Sequence, residues 1–108
     1  SRYGICKIYK KLSNKNFVIN DVVEKPKIKN SPSNKAIIGR YILPKKIFNK
    51  IKSQKKGVNG EFHITDTIKS LISTDNKFIA HVFEGKYLDC GTMQGYIKSS
   101  FKILKLKK

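Results

Sequence analysis

No apolar run in this chain is longer than three residues, as residues 36–38 and 41–43 illustrate. A membrane-spanning helix needs about 18 consecutive apolar residues, so the sequence predicts no such span. The chain has 108 residues, of which 39% are hydrophobic, and a chain of this length buries only a modest core. We therefore expect a single small domain.

Strand and helix signals alternate along the chain, which is typical of an α/β fold. Residues 5–9 and 17–23 predict two strands of a hairpin joined by the polar residues 10–16. Residues 36–43 predict a strand that is buried on both faces, and residues 78–83 predict a further strand.

Three helices complete this prediction. The first begins at Pro44, with an apolar face formed by Ile47, Phe48 and Ile51. The second is capped by Thr65 and ends near Thr74. The third spans about residues 93–106, with an apolar stripe formed by Ile97, Phe101 and Leu104.

The charge of the chain is strongly positive, with 24 Lys and Arg against 7 Asp and Glu, a formal net charge of +17. A basic domain is the electrostatic signature of a nucleic-acid binder. However, 22 of these residues are Lys and only 2 are Arg, whereas base and phosphate recognition favours the planar fork of Arg. The lysines are also scattered, apart from a cluster at 102, 105, 107 and 108, so we interpret them as solvated surface.

Cys6 and Cys90 are far apart and form no Cys-x-x-Cys motif, so neither a disulfide framework nor a cysteine zinc site is predicted. This pattern favours a reducing, cytoplasmic compartment. We interpret Cys90 as a small, buried, apolar residue. His63 and His81 are not spaced as metal ligands. The chain starts at Ser1 without an initiator Met, and we interpret it as a fragment.

Six motifs occur in a fixed order along the chain. They are SRYGI at 1–5, VEKP at 23–26, PSNKAIIGRYIL at 32–43, GEFHITD at 60–66, DCG at 89–91 and GY at 95–96. In this order and spacing they resemble the C-terminal part of the bacterial UTP–glucose-1-phosphate uridylyltransferases, also called UDP-glucose pyrophosphorylases. The chain departs from that family's usual residues at His63, Thr92 and Met93.

This resemblance implies an α/β fold: the C-terminal part of a doubly wound, Rossmann-like sugar nucleotidyltransferase, with a mixed sheet and about three helices. Residues 1–108 would be a single partial domain that binds sugar, and the N-terminal nucleotide-binding half would be absent. The implied reaction joins UTP and glucose-1-phosphate to give UDP-glucose and pyrophosphate, with Mg²⁺ as cofactor. The intact enzyme would be a homo-oligomer that binds no specific nucleic acid and no membrane.

The resemblance also assigns roles to single residues. Lys25 would be catalytic and would bind the sugar phosphate, Glu24 would bind sugar hydroxyls, and Asp89 would ligate Mg²⁺. We expect Pro26 to hold Lys25 in an extended conformation. The alternatives are a solvated lysine, a surface ion pair worth about 0–1 kcal/mol for Glu24, and for Asp89 a helix N-cap, which Thr92 could fill better.

Four more residues would bind substrate by their position in the motifs, namely Gly4, Asn34, Gly39 and Tyr41. Each has a structural alternative: a turn glycine, an Asx turn, a strand-packing glycine and a core aromatic residue, respectively. For the whole chain, two other functions stay open. One is a non-catalytic nucleotidyltransferase-like partner module, and the other is a small basic nucleic-acid-binding domain.

Overall fold

The computed structural model describes residues 2–74 and 77–107. Ser1 of the first motif and Lys108 of the terminal lysine cluster lie outside the described residues. The elements in chain order are β1 (Gly4–Lys11), β2 (Asn16–Glu24), α1 (Ile47–Lys52), α2 (Ile64–Ser73), β3 (Phe78–His81) and α3 (Met93–Leu106). Short 3₁₀ turns occur at Ile28–Asn30 and Val58–Gly60.

The three described strands form one antiparallel sheet in the order β1-β2-β3. The predicted hairpin is confirmed, and its strands extend further toward the turn than the sequence predicted. Ser13 closes this turn, because its hydroxyl accepts hydrogen bonds from the backbone N–H and the side-chain amide of Asn16, both at 3.1 Å. The polar connection therefore fixes the register of the hairpin.

The core lies between one face of the sheet and the helices α1 and α2. Its buried members are Cys6, Ile19, Val22, Ile47, Ile68 and Leu71. Burying a side chain of this size stabilises the fold by about 1.5–3 kcal/mol relative to exposure. Because α2 packs directly against β2, the start of this helix is held next to the end of that strand.

The prediction of a strand over residues 36–43 is wrong, because the structure has no strand there. Ile5 and Ala36 form an isolated bridge, and the N–H of Ile37 donates to the carbonyl of Gly4 at 2.8 Å. At Gly39 the backbone then adopts a φ of 79°, which turns the chain away from β1. Beyond that turn Ile42 is fully exposed, so the segment is a loop along the sheet edge.

The helix starts also differ from the prediction. α1 begins at Ile47 rather than Pro44, and the N–H of Ile47 donates to the carbonyl of Pro44 at 3.0 Å. Of its predicted apolar face, Ile47 is buried, whereas Phe48 is 64% exposed. Thr65 does not cap α2, because it lies inside the helix and its hydroxyl is used elsewhere.

The last helix spans the predicted residues, and Thr92 caps it by accepting a hydrogen bond from the N–H of Gly95 at 3.0 Å. Its apolar stripe is exposed in this chain, with Ile97, Phe101 and Leu104 all more than half accessible. Cys90 is exposed, so the prediction of a buried residue is wrong there, whereas Cys6 is buried. Among the described helices none is long and apolar enough to cross a membrane.

Candidate functional site

A cleft of about 340 Å³ opens where the start of β1, the end of β2, the loop around residue 39 and the start of α2 meet. Four of the residues that the sequence predicted for the site line this cleft, namely Gly4, Glu24, Gly39 and Tyr41. Their positions along the chain are far apart, and the hairpin together with the packing of α2 on β2 brings them to one place.

Glu24 is the central acidic group of the cleft. It ends β2 directly opposite Gly4 on β1, and its side chain is only 12% exposed. The hydroxyl of Thr65 donates a hydrogen bond to Oε2 of Glu24, and Nδ1 of His63 lies 3.7 Å from Oε1. A carboxylate that is largely removed from water needs such partners, since an unpaired buried charge is costly.

Lys25 follows Glu24 at the end of β2, beside the cleft rather than in its lining. Its backbone has a φ of 47°, so the prediction of an extended conformation before Pro26 is wrong. The N–H of Lys25 donates to the carbonyl of Tyr3, the residue before β1, at 3.0 Å. This hydrogen bond fixes the turn, although a residue before proline prefers an extended backbone. Its Nζ lies 3.8 Å from Oε2 of Glu61.

Asp89 lies at the edge of the cleft, between β3 and α3. Its Oδ2 accepts a hydrogen bond from the hydroxyl of Tyr3 at 2.5 Å and lies 3.1 Å from a guanidinium nitrogen of Arg2. Its Oδ1 accepts the N–H of Gly91 at 2.9 Å. The hydrogen bond from Tyr3, followed by that from Gly91 and the charge of Arg2, lowers the pKa of Asp89.

The remaining predicted residues occupy different surroundings. Burial raises the pKa of Tyr41, and the negative charge of Glu24 raises it further, so the phenol is a neutral donor at the cleft. Gly39 uses its positive φ to turn the loop at this wall. Asn34 is exposed and lies outside the lining of the cleft, so the structure does not bring it together with the others.

The structure adds residues that sequence reasoning did not assign to the site. Arg2, Tyr3, His63 and Thr65 line the cleft and belong to the first and fourth motifs, so motif membership was the available signal. Tyr87 also lines it and meets Tyr3 edge-to-face, with 5.9 Å between the ring centroids. Nothing in the sequence around Tyr87 indicated this contact.

The chain belongs to the nucleotidyl transferase family, whose model matches residues 1–105. Within this family it is similar to UTP–glucose-1-phosphate uridylyltransferases. It is 45% identical over 84 residues to the enzyme of Pseudomonas aeruginosa, an alignment that covers 78% of this chain and 30% of the relative. It is 40% identical over 101 residues to uridylyltransferase 2 of Staphylococcus saprophyticus, covering 94% of this chain and 34% of the relative.

Solved structures give the same result for the fold. A UDP-glucose pyrophosphorylase complexed with UDP-glucose superimposes with a TM-score of 0.90 at 40% identity, covering 97% of this chain and 39% of that chain. A UTP-bound enzyme of this type from Acinetobacter baumannii gives a TM-score of 0.74 at 29% identity, covering 94% and 34%. The expected fold and family are confirmed, and the chain spans about a third of the length of these relatives.

Proposed function

We propose that this chain is the sugar-phosphate side of a UTP–glucose-1-phosphate uridylyltransferase. The observation that carries the proposal is the carboxylate of Glu24, which is only 12% exposed, accepts a hydrogen bond from Thr65 and lines a cleft of about 340 Å³. The names of the relatives support the choice of substrates. A cleft with a few fixed polar groups among aromatic side chains is the usual form of a small-molecule site.

In the proposed reaction a phosphate oxygen of glucose-1-phosphate attacks the α-phosphorus of UTP. The new oxygen–phosphorus bond forms as the bond from the α-phosphorus to the bridging oxygen breaks, and pyrophosphate leaves. Catalysis of this kind depends on placing the reacting groups in line and on neutralising their charges.

Lys25 and Glu24 have separate roles in this proposal. Lys25 provides a compact positive charge for the phosphates. When substrate binds, its ammonium would leave the carboxylate of Glu61 and contact a phosphate oxygen instead. Glu24 accepts hydrogen bonds from sugar hydroxyls, and a charged acceptor makes such bonds stronger than a neutral one.

The other predicted substrate residues contribute to the walls of the site. Gly4 and Gly39 leave room for the sugar next to the backbone, and the phenol of Tyr41 supplies a donor. Asn34 stays a weaker proposal, because it lies outside the lining of the cleft.

Asp89 fits the role of a single protein ligand for Mg²⁺. Within the described residues there is no group of three or more His, Cys, Asp and Glu side chains that could hold a metal. Mg²⁺ is commonly bound through one or two carboxylates together with substrate phosphates, so one aspartate in this chain is sufficient as a partial ligand. When bound, the ion would neutralise phosphate charge. Asp89 would then give up its contacts with Arg2 and Tyr3 in order to ligate the ion.

The rest of the enzyme is expected in the preceding part of the protein. We propose that it carries the nucleotide-binding half with the UTP phosphate loop and a second metal-binding carboxylate, and that the intact enzyme is a cytoplasmic homo-oligomer. Light scattering on the intact protein measures the oligomeric state.

The test is pyrophosphate release from UTP and glucose-1-phosphate in the presence of Mg²⁺. We expect turnover by the intact protein and none by the isolated chain, because the reacting groups are positioned only when both halves are present. Asp89→Asn in the intact protein should abolish most of this activity. An intact protein that binds glucose-1-phosphate but releases no pyrophosphate would support the non-catalytic module instead.

A further inference from the structure

Thr65 connects the first turn of α2 to the end of β2. Its side chain is 3% exposed, and its hydroxyl donates to Oε2 of Glu24 across 41 residues of sequence. Threonine near a helix start commonly bonds to the backbone of its own helix. Here the hydroxyl makes a contact between helix and sheet instead.

This contact depends on the absence of a side chain at Gly4. A Cβ atom on Gly4 would lie 2.7 Å from Cγ2 of Thr65 and 3.1 Å from Oε2 of Glu24. Real Cβ atoms do not come so close to a neighbouring methyl group, so any larger residue would push Thr65 and Glu24 apart. β1, β2 and α2 therefore meet at one point that is shaped around the Thr65–Glu24 hydrogen bond.

The second oxygen of the carboxylate faces the start of α2. Nδ1 of His63 lies 3.7 Å from Oε1 of Glu24, and the two side chains are 10% and 12% exposed. A carboxylate has about four lone-pair sites on its two oxygens. With one site used by Thr65 and one oxygen facing His63, the carboxylate keeps capacity for a ligand in the cleft.

We propose that Thr65 is a positioning residue for the sugar site, which fixes the carboxylate of Glu24 in the orientation that receives sugar hydroxyls. The inference rests on the proposed function, because it concerns the same binding of glucose-1-phosphate. Thr65 acts through Glu24, and its hydroxyl is committed to this bond before the substrate arrives.

The experiment uses steady-state kinetics of the intact protein with Thr65→Val, which keeps the shape of the side chain and removes the hydroxyl. Loss of a hydrogen bond to a charged group predicts a rise of about 10- to 100-fold in the KM for glucose-1-phosphate. The KM for UTP should stay close to that of the wild type. Thr65→Ser restores the hydroxyl and should return the KM for glucose-1-phosphate to near the wild-type value.

Thr67→Val is the matched control. Thr67 lies on the same helix, is 2% exposed and also donates its hydroxyl to a side chain, in this case Oε1 of Gln54. It is outside the lining of the cleft, and its partner Gln54 reaches the cleft only through the backbone carbonyl of His63, at 2.5 Å. Its substitution should therefore lower stability and leave both KM values close to those of the wild type. If Thr65→Val does not fold, Thr65→Ser and Thr65→Ala decide the matter, because they differ only in the hydroxyl.

A wild-type KM for glucose-1-phosphate in Thr65→Val or Thr65→Ala overturns the inference, as do equal changes in the KM values for both substrates. The proposed function fails in a different way. In that case the wild-type protein and all of its Thr65 variants give no turnover with these substrates, and the inference fails together with the proposed function.

Discussion

Glu24 and Lys25 are neighbours in sequence, but their side chains have different partners. Glu24 faces Thr65 and His63 in the cleft, whereas Nζ of Lys25 lies 3.8 Å from Glu61 outside it. Lys25 follows the last residue of β2 with a φ of 47°, so its side chain departs from the alternation of the strand. In the proposed function the two side chains therefore contact different parts of the substrate. This division predicts different kinetic effects for the two substitutions.

We expect Lys25→Ala to lower kcat/KM of the intact protein at least tenfold, about 1.4 kcal/mol or more of transition-state stabilisation. Glu24→Ala should act mainly by raising the KM for glucose-1-phosphate. Lys69→Ala is the control, because Lys69 pairs with Asp21 at 3.4 Å and lies outside the cleft lining. Wild-type kinetics in both Lys25→Ala and Glu24→Ala would remove these residues from the site.

The hydrogen bond between Tyr3 and Asp89 predicts a defined dependence of stability on pH. It lowers the pKa of Asp89 below its ordinary value of 3.8 and raises the pKa of Tyr3 above 10.0. The contribution of Asp89 is present above pH 3.8 and is lost as the pH falls through the lowered pKa. The contribution of Tyr3 is present below pH 10.0 and is lost as the pH rises through the raised pKa.

Tyr3→Phe should therefore destabilise the intact protein at neutral pH, and the difference from wild type should shrink at both acidic and strongly alkaline pH. Thermal unfolding at a series of pH values measures this difference. Tyr9→Phe, at a side chain that is 71% exposed, should show no such profile. A Tyr3→Phe effect that is constant from pH 3 to pH 11 would contradict the assignment of the pair.

At the scale of elements, the stability of the site depends on the packing of α2 against the sheet. Leu71 is 1% exposed at the centre of this contact. Leu71→Ala should lower the free energy of unfolding by about 2–5 kcal/mol, since it removes buried methyl groups and leaves a cavity. Ile42→Ala, at a fully exposed position, should change it by no more than about 0.5 kcal/mol. Urea unfolding of the intact protein measures both values, and equal effects would contradict the described core.

Elements with a local signal were predictable from the sequence. The hairpin follows from two apolar, β-branched segments and a polar turn, and α3 follows from its spacing and from Thr92 as its cap. The loop after residue 36 was not predictable in this way, because its apolar composition matches that of a strand. Its form depends on one bridge to Ile5 and on the positive φ of Gly39, and neither is encoded by hydrophobic pattern.

The same distinction applies to the site. Gly4 and Glu24 each belong to a motif, and the structure pairs them on neighbouring strands of the sheet. The contact of Thr65 with Glu24 joins residues 41 positions apart. The sequence placed Thr65 in a motif and predicted it as a helix cap, but neither indicated this contact. The φ of Lys25 is likewise set by a bond to Tyr3 rather than by Pro26. Tertiary contacts decided each of these cases against the local preference.

Across the whole molecule, three of the 7 acidic residues are associated with the cleft. Glu24 lines it, whereas Asp89 and Glu61 lie outside the lining and contact Tyr3 and His63 within it. The described part has a radius of gyration of 15.7 Å, larger than the roughly 13 Å of a compact chain of this length. The exposed apolar stripe of α3 is consistent with this extended shape.

The net charge of +17 leads to a final prediction about nucleic acid. If the lysines are general surface charge, binding to duplex DNA comes only from counterion release. It should then be weak, independent of sequence and lost steeply between about 50 and 200 mM salt. Fluorescence anisotropy with two unrelated duplexes, titrated with salt, measures this.

The main lysine cluster lies on and after the end of α3 and consists of Lys102, Lys105 and Lys107. Their joint replacement by Gln should reduce the salt slope for both duplexes equally. Sequence-selective binding at submicromolar concentration and physiological salt would instead favour the nucleic-acid-binding domain over the enzyme.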